Sequence, residues 1–133
     1  MTKLRIQGII LIASLVVQYA LGMYVNLYVS FPEGQVGDQL WEFAWSQPAL
    51  AAHIILAILI FIGGIVLCIR AARARNRVWI WSSFIAFLAV LAAGASGASF
   101  IPSQNDLFSY SMALGFIVAI ASYGWGIYAD GSV

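Results

Sequence analysis

An antiparallel bundle of four membrane-spanning helices, all-α, is the fold this sequence predicts, and three observations predict it. The first is composition: 63% of the 133 residues are hydrophobic and only 8% are charged, against about a quarter charged in a soluble domain. Mean hydropathy is +0.96. The second is segmentation. Residues 6–29, 49–69, 78–101 and 107–128 are apolar runs of about the length that crosses a ~30 Å hydrocarbon core, enough for one four-span domain. The third is the sorting of charge. Lys3, Arg5, Arg70, Arg73, Arg75 and Arg77 flank one set of span ends, whereas Glu33, Asp38, Glu42 and Asp106 flank the other. Asp130 is the one acid among the basic flanks. The positive-inside rule then puts both termini in the cytoplasm, in a multi-pass protein of a prokaryotic plasma membrane.

Each element has its own reasons. Residues 2–5 form a short basic leader. The segment 6–29 is longer than the ~7–15-residue core of a cleaved signal peptide, which predicts an uncleaved first span. Ser14, Gln18, Gly22 and Asn26 recur every four residues as a slowly drifting stripe. In lipid that stripe is expected to turn inward, because amides need partners there. Residues 30–48 make the outer connection. Phe31-Pro32-Glu33-Gly34 reads as a turn, and Asp38 as the N-cap of a short interfacial helix with Leu40, Trp41, Ala44 and Trp45 on one side.

Pro48 suits the start of the second span, which carries His53, the only histidine, on a face with Ala49, Ala57 and Gly64. The arginine loop 70–77 is short, so the third span runs back beside the second. That span opens with Trp79 and Trp81 at the inner interface and closes in eight small residues, Ala92 to Ser99. Either another backbone comes very close there, or something flat and non-protein fills the space. Pro102 to Asp106 reads as a tight outer turn. The fourth span sets Met112, Gly115, Ala119 and Ser122 along one face, and residues 129–133 are a tail.

At ~1.5 Å of rise per residue, His53, Met112, Met23, Asn26 and the patch Gly94, Ser96 and Gly97 fall at one level in the outer third of the bundle. A neutral imidazole is a good axial ligand for haem iron, a thioether can be the sixth, and tiny residues leave room for a ring. His53 and Met112 are therefore candidate metal ligands, with Met23 as an alternative sixth ligand, and haem b is the candidate cofactor. Its propionates would find no outer Lys or Arg, only water, Trp indoles or the amides of Asn26, Gln39 and Gln47. The bland alternative is a structural histidine bonded to Asn26 or a backbone carbonyl, with methionines filling gaps. A third reading is a quinone or lipid pocket, with His53 donating to a carbonyl and Trp41, Trp45 or Tyr110 stacking.

Other classes are excluded more easily. Every acid lies outside the spans, so no Ser-His-Asp set or paired catalytic carboxylates can form, and no phosphate-cradling loop or two-histidine zinc motif exists. The spans lack the ionisable pair or broken helix of a coupled transporter. Cys68 is alone, so no disulfide forms within the chain. The arginines are accounted for by topology and form no nucleic-acid footprint. Partners are then membrane lipid and, through the small pairs Gly115/Ala119 and Ala57/Gly64, other membrane subunits or a second copy.

Leu21-Gly22-Met23-Tyr24-Val25-Asn26 at the outer end of the first span, a Trp-containing outer loop, and a histidine early in the second span together resemble one four-helix half of the haem A synthase family. The resemblance implies a four-helix scaffold with axial ligands near the outer ends of its second and fourth helices. His53 matches the second-helix ligand, and Met112 stands where that family has its other histidine. The family's glutamate three residues before the first histidine is Leu50 here, its arginine after the Leu-Gly motif is Asn26, and its outer-loop cysteine pair is absent. The resemblance thus implies a haem-holding bundle without methyl-oxidising chemistry, serving electron transfer, haem handling or sensing. A non-catalytic accessory subunit without cofactor is the rival expectation.

Overall fold

The computed structural model describes residues 2–35 and 37–131; the last two residues of the tail lie outside the described residues. Among them there are five helices and no strand: α1 Lys3–Tyr28, α2 Asp38–Ser46, α3 Pro48–Arg73, α4 Arg77–Ser103 and α5 Asp106–Ala129. All but α2 are long and apolar enough to cross a membrane, so the chain is a multi-pass membrane protein. Their outward faces carry Ile10, Val17, Leu59, Ile62 and Ile117, each more than half exposed, as suits side chains facing lipid.

Local chemistry sets the helix ends. Thr2 caps α1 by accepting from the Arg5 N–H at 3.3 Å, which starts the helix within the basic leader, earlier than hydropathy suggests. Asn76 accepts from the Trp79 N–H at 3.2 Å, and Asn105 accepts from the Leu107 N–H at 2.9 Å. Gly37, at φ +59°, sits at the N-cap of α2 and Asp38 is its first helical residue, so the cap lies one residue earlier than expected. A positive φ is the conformation that glycine adopts without strain. Pro102 and Ser103 belong to the last turn of α4 and not to the connection. The Ser103 hydroxyl donates to the Ser99 carbonyl and the Gln104 amide to that of Ile101, so side chains take up the orphaned carbonyls of the helix end.

The long helices close a ring in the order α1, α3, α4, α5, with α4 and α5 the most intimate pair and α2 lying on α3 and α4. Two apolar clusters result. The larger gathers Leu11, Leu15, Ile60, Leu67, Trp79 and Tyr123 towards the end that carries the arginines. The smaller joins Val25, Leu40, Ala44, Leu50 and Ile101 beneath α2.

The arginine end is sealed by a tryptophan. Trp79 is fully buried, whereas Trp81 is 64% exposed. The expectation that both mark the interface therefore holds in position only for Trp81, since two residues apart on a helix point to different sides. Added Cβ atoms at Gly8 and Gly126 would stand 2.5 and 2.9 Å from the Trp79 ring, so these two glycines are the notch that admits the indole. Its N–H donates to Asp130 Oδ2 at 2.7 Å, and Asp130 also accepts from Asn76 Nδ2 at 3.0 Å and the Thr2 hydroxyl at 3.4 Å. Asp130 is thus a buried acceptor that ties α1, α4 and α5 together. Nearby, Arg70 donates to Gln7, whose amide donates to the Gly63 carbonyl.

Candidate functional site

Beneath α2 lies a cavity of about 880 Å³ with walls from α1, α3, α4 and α5, within the ~300–1,000 Å³ usual for ligand sites. The Leu21–Asn26 end of α1 contributes Gly22, Met23 and Asn26; α3 contributes His53, α4 Gly94 and Gly97, and α5 Met112. Ser96 is half-buried but lies outside these walls, because it is about 100° around the helix from Gly97. The structure thus brings six of the seven sequence candidates to one space and leaves Ser96 off it.

Two glycines make room for the two candidate ligands. A Cβ at Gly22 would lie 3.0 Å from His53 Cε1, and one at Gly97 would lie 3.0 Å from Met112 Sδ. Gly94 has open space around its Cα, whereas Gly115 meets Ala93 and the Ala89 carbonyl closely. Both expectations for the small-residue run therefore have a place: backbone contact at its start and free volume further on.

The polar atoms are incompletely satisfied. Among the described residues, His53 Nδ1 and Gln18 Oε1 are enclosed with no hydrogen-bond partner, although the Gln18 amide donates to the His53 carbonyl at 2.9 Å. The structural-histidine alternative, in which Asn26 or a carbonyl holds the imidazole, is not the arrangement found. Gln18, 1% exposed and outside the set of candidate ligand-site residues, lines the same cavity. Its signal was available in its fourfold spacing to Gly22, the glycine against His53. Asn26 is exposed although it borders the cavity, because a fourfold spacing drifts about 40° per step on a 3.6-residue helix. Met23 is also 42% exposed.

The fit to a porphyrin divides. Apolar walls, the unsatisfied imidazole and the Met112 thioether suit the ring and an axially held iron. No Lys or Arg lines the cavity, and Glu33 does, so propionates would be left to Asn26 and Gln104 at the mouth. Gln39 and Gln47 lie elsewhere. Of Trp41, Trp45 and Tyr110, only Trp41 lines the cavity. Among the described residues no three His, Cys, Asp or Glu side chains gather, so any metal held here would rest on the imidazole and thioethers. Compared with known proteins, the chain matches no family model, no curated protein and no solved structure.

Proposed function

We propose that this chain is a small haem-binding membrane protein of haem A synthase-like design: an antiparallel four-helix bundle in a prokaryotic plasma membrane, both termini cytoplasmic, with haem b in the outer leaflet. The pairing of Gln7 with Gly63 and of Gln18 with His53 supports antiparallel α1 and α3, and the sorted charges support the orientation. His53 is the proposed axial ligand, with Met112 or Met23 as the sixth. The missing side chains of Gly22 and Gly97 leave room for the imidazole and the thioether, and the apolar walls would shield a bound iron from water. The bound group would supply a one-electron couple for electron transfer, haem handling or sensing.

The observation that carries this reading is His53, an imidazole whose Nδ1 has no hydrogen-bond partner among the described residues, lining a cavity of cofactor size. A second reading, a quinone-like ligand, is favoured by Gln18 Oε1, an unmet acceptor suited to a hydroxyl, and by Glu33, which disfavours an anionic ligand. A visible spectrum of the detergent-purified protein decides. A Soret band that His53→Ala abolishes supports haem. A colourless, stable protein rejects it and leaves the quinone-like ligand or an accessory structural subunit.

A further inference from the structure

We infer that the cavity is loaded sideways from the bilayer, through a gap between the α2-end halves of α1 and α5, so that its occupant is an amphiphile dissolved in the membrane. This deepens the proposed function and rests on the cavity being a binding site, whichever ring system it holds.

The two helices are joined at one end only. At the arginine end, Thr2 and Asp130 connect them, and Leu11 and Leu15 of α1 share a cluster with Ala119 and Tyr123 of α5. At the α2 end that closure stops. Every buried residue of α5 lies at Ala119 or beyond. The apolar cluster beneath α2 draws on α1, α2, α3 and α4 but takes nothing from α5. There, α5 leans on α4 through Gly115 against Ala93 and Met112 against Gly97. On α1, no residue between Gln18 and Val25 is buried, and Tyr19, which lines the cavity, is 49% exposed.

The other sides carry packing that the α1–α5 seam lacks, although the polar Glu33, Gln35 and Gln104 rim the outer end. Above the cavity, Leu40 and Ala44 of α2 are 2% and 0% exposed, and Phe31 stacks on both Phe43 and Phe100. Across the ring, α3 and α4 are joined above and below the cavity, by the Leu50–Ile101 cluster and by Phe61 meeting Phe87 at 5.2 Å, with Ile58 and Leu91, 51% and 46% exposed, on the wall between. In a bilayer the α1–α5 gap faces acyl chains. A ligand using it partitions into lipid first and then slides its polar head towards Gln18 and His53, the polar side chains of the inner wall.

The test uses the full chain in phosphatidylcholine–phosphatidylglycerol vesicles, with haemin or a decyl-tailed benzoquinone already in the bilayer, and follows quenching of tryptophan fluorescence. Ser109→Trp, which narrows the α5 side, is expected to slow filling about tenfold, and Tyr19→Ala to speed it about threefold, each reaching the same final occupancy when normalised to that variant's own fluorescence. Gln35→Trp, on the roof, should leave the rate within about twofold, and a sulfonated quinone confined to water should not fill the cavity. Tyr19→Ala removes bulk from a lipid-facing surface, so it remains informative should Ser109→Trp misfold. Filling that ignores Ser109 and Tyr19 but slows with Gln35→Trp, or equal filling by the water-confined quinone, overturns the lateral route and leaves the binding site standing. Failure of both membrane-dissolved probes to fill the cavity overturns the binding reading and the route together.

Discussion

The two halves of the bundle use the same residue type to opposite ends. Towards the arginines, Gly8 and Gly126 give up their side-chain volume to a neighbour's indole, and the space is consumed. Trp79 fills it, and Asp130 takes its N–H. Towards α2, Gly22 and Gly97 give up the same volume to His53 and Met112, and space remains beyond them. One half is closed by a large ring with a matched acceptor. Both halves hold buried polar atoms without a partner among the described residues, Ser82 and Tyr123 in the closed half and Gln18 and His53 in the other, but of these only Gln18 and His53 line the cavity. Between lipid-bathed helices, where the apolar medium outside is as good as the inside, van der Waals fit and hydrogen bonding carry association. The closed half therefore holds the bundle together, and the hollow half is free to bind.

Substitutions can break or sharpen this contrast. Trp79→Ala should have the largest effect, about 3–5 kcal/mol in a denaturation titration in mixed detergent micelles, since it leaves a cavity where three helices meet. It also strips Asp130 of a donor. A loss below about 1 kcal/mol would mean that the indole is not the seal. Gly8→Ala and Gly126→Ala should each lose about 1–3 kcal/mol, because the new methyl meets an aromatic ring and, at Gly126, also the Ser82 hydroxyl.

In the hollow half the same measurement should hardly move. His53→Ala is expected to change stability by less than about 1 kcal/mol, because it removes an atom that was already unpartnered, while ligand binding is lost. Equal destabilisation by His53→Ala and Trp79→Ala would make the histidine structural. Gly22→Ala should push the imidazole a few tenths of an ångström and weaken haemin binding about tenfold, read by optical titration. Gly94→Ala, with open space around it, should stay within about 0.5 kcal/mol of the parent.

The parts of this design that were legible in the sequence are those that one helix decides for itself. Hydropathy sums over some twenty residues and does not depend on what lies opposite, so the four long helices appear with ends only a few residues from those read by eye. The largest discrepancy is in the expected arginine loop, where Arg70 to Arg73 continue α3 and Arg77 opens α4; the others come from caps such as Thr2, and from Ser103 and Gln104 at the close of α4. His53, Met112, Met23 and Gly97 were placed by counting along their helices from a common surface, which also needs no partner. What escaped was anything set by rotation between helices. Trp79 and Trp81 look alike in sequence, yet one is buried and the other exposed. Asn26 and Ser96 lie at the right depth on faces turned partly or wholly away. Gly8 and Gly126 carry no signal at all until an indole arrives between them.

Composition and charge order alone thus determined that the chain enters a membrane, how many helices are long enough to cross it, and that its bases gather at one end. Tertiary structure alone decided which end closes and which stays hollow, and that Gln18 shares a cavity with His53. The physical reason is range. Partition into lipid is a sum over single side chains, whereas a cavity and its unmet hydrogen bonds exist only in the mutual rotation of helices distant in sequence.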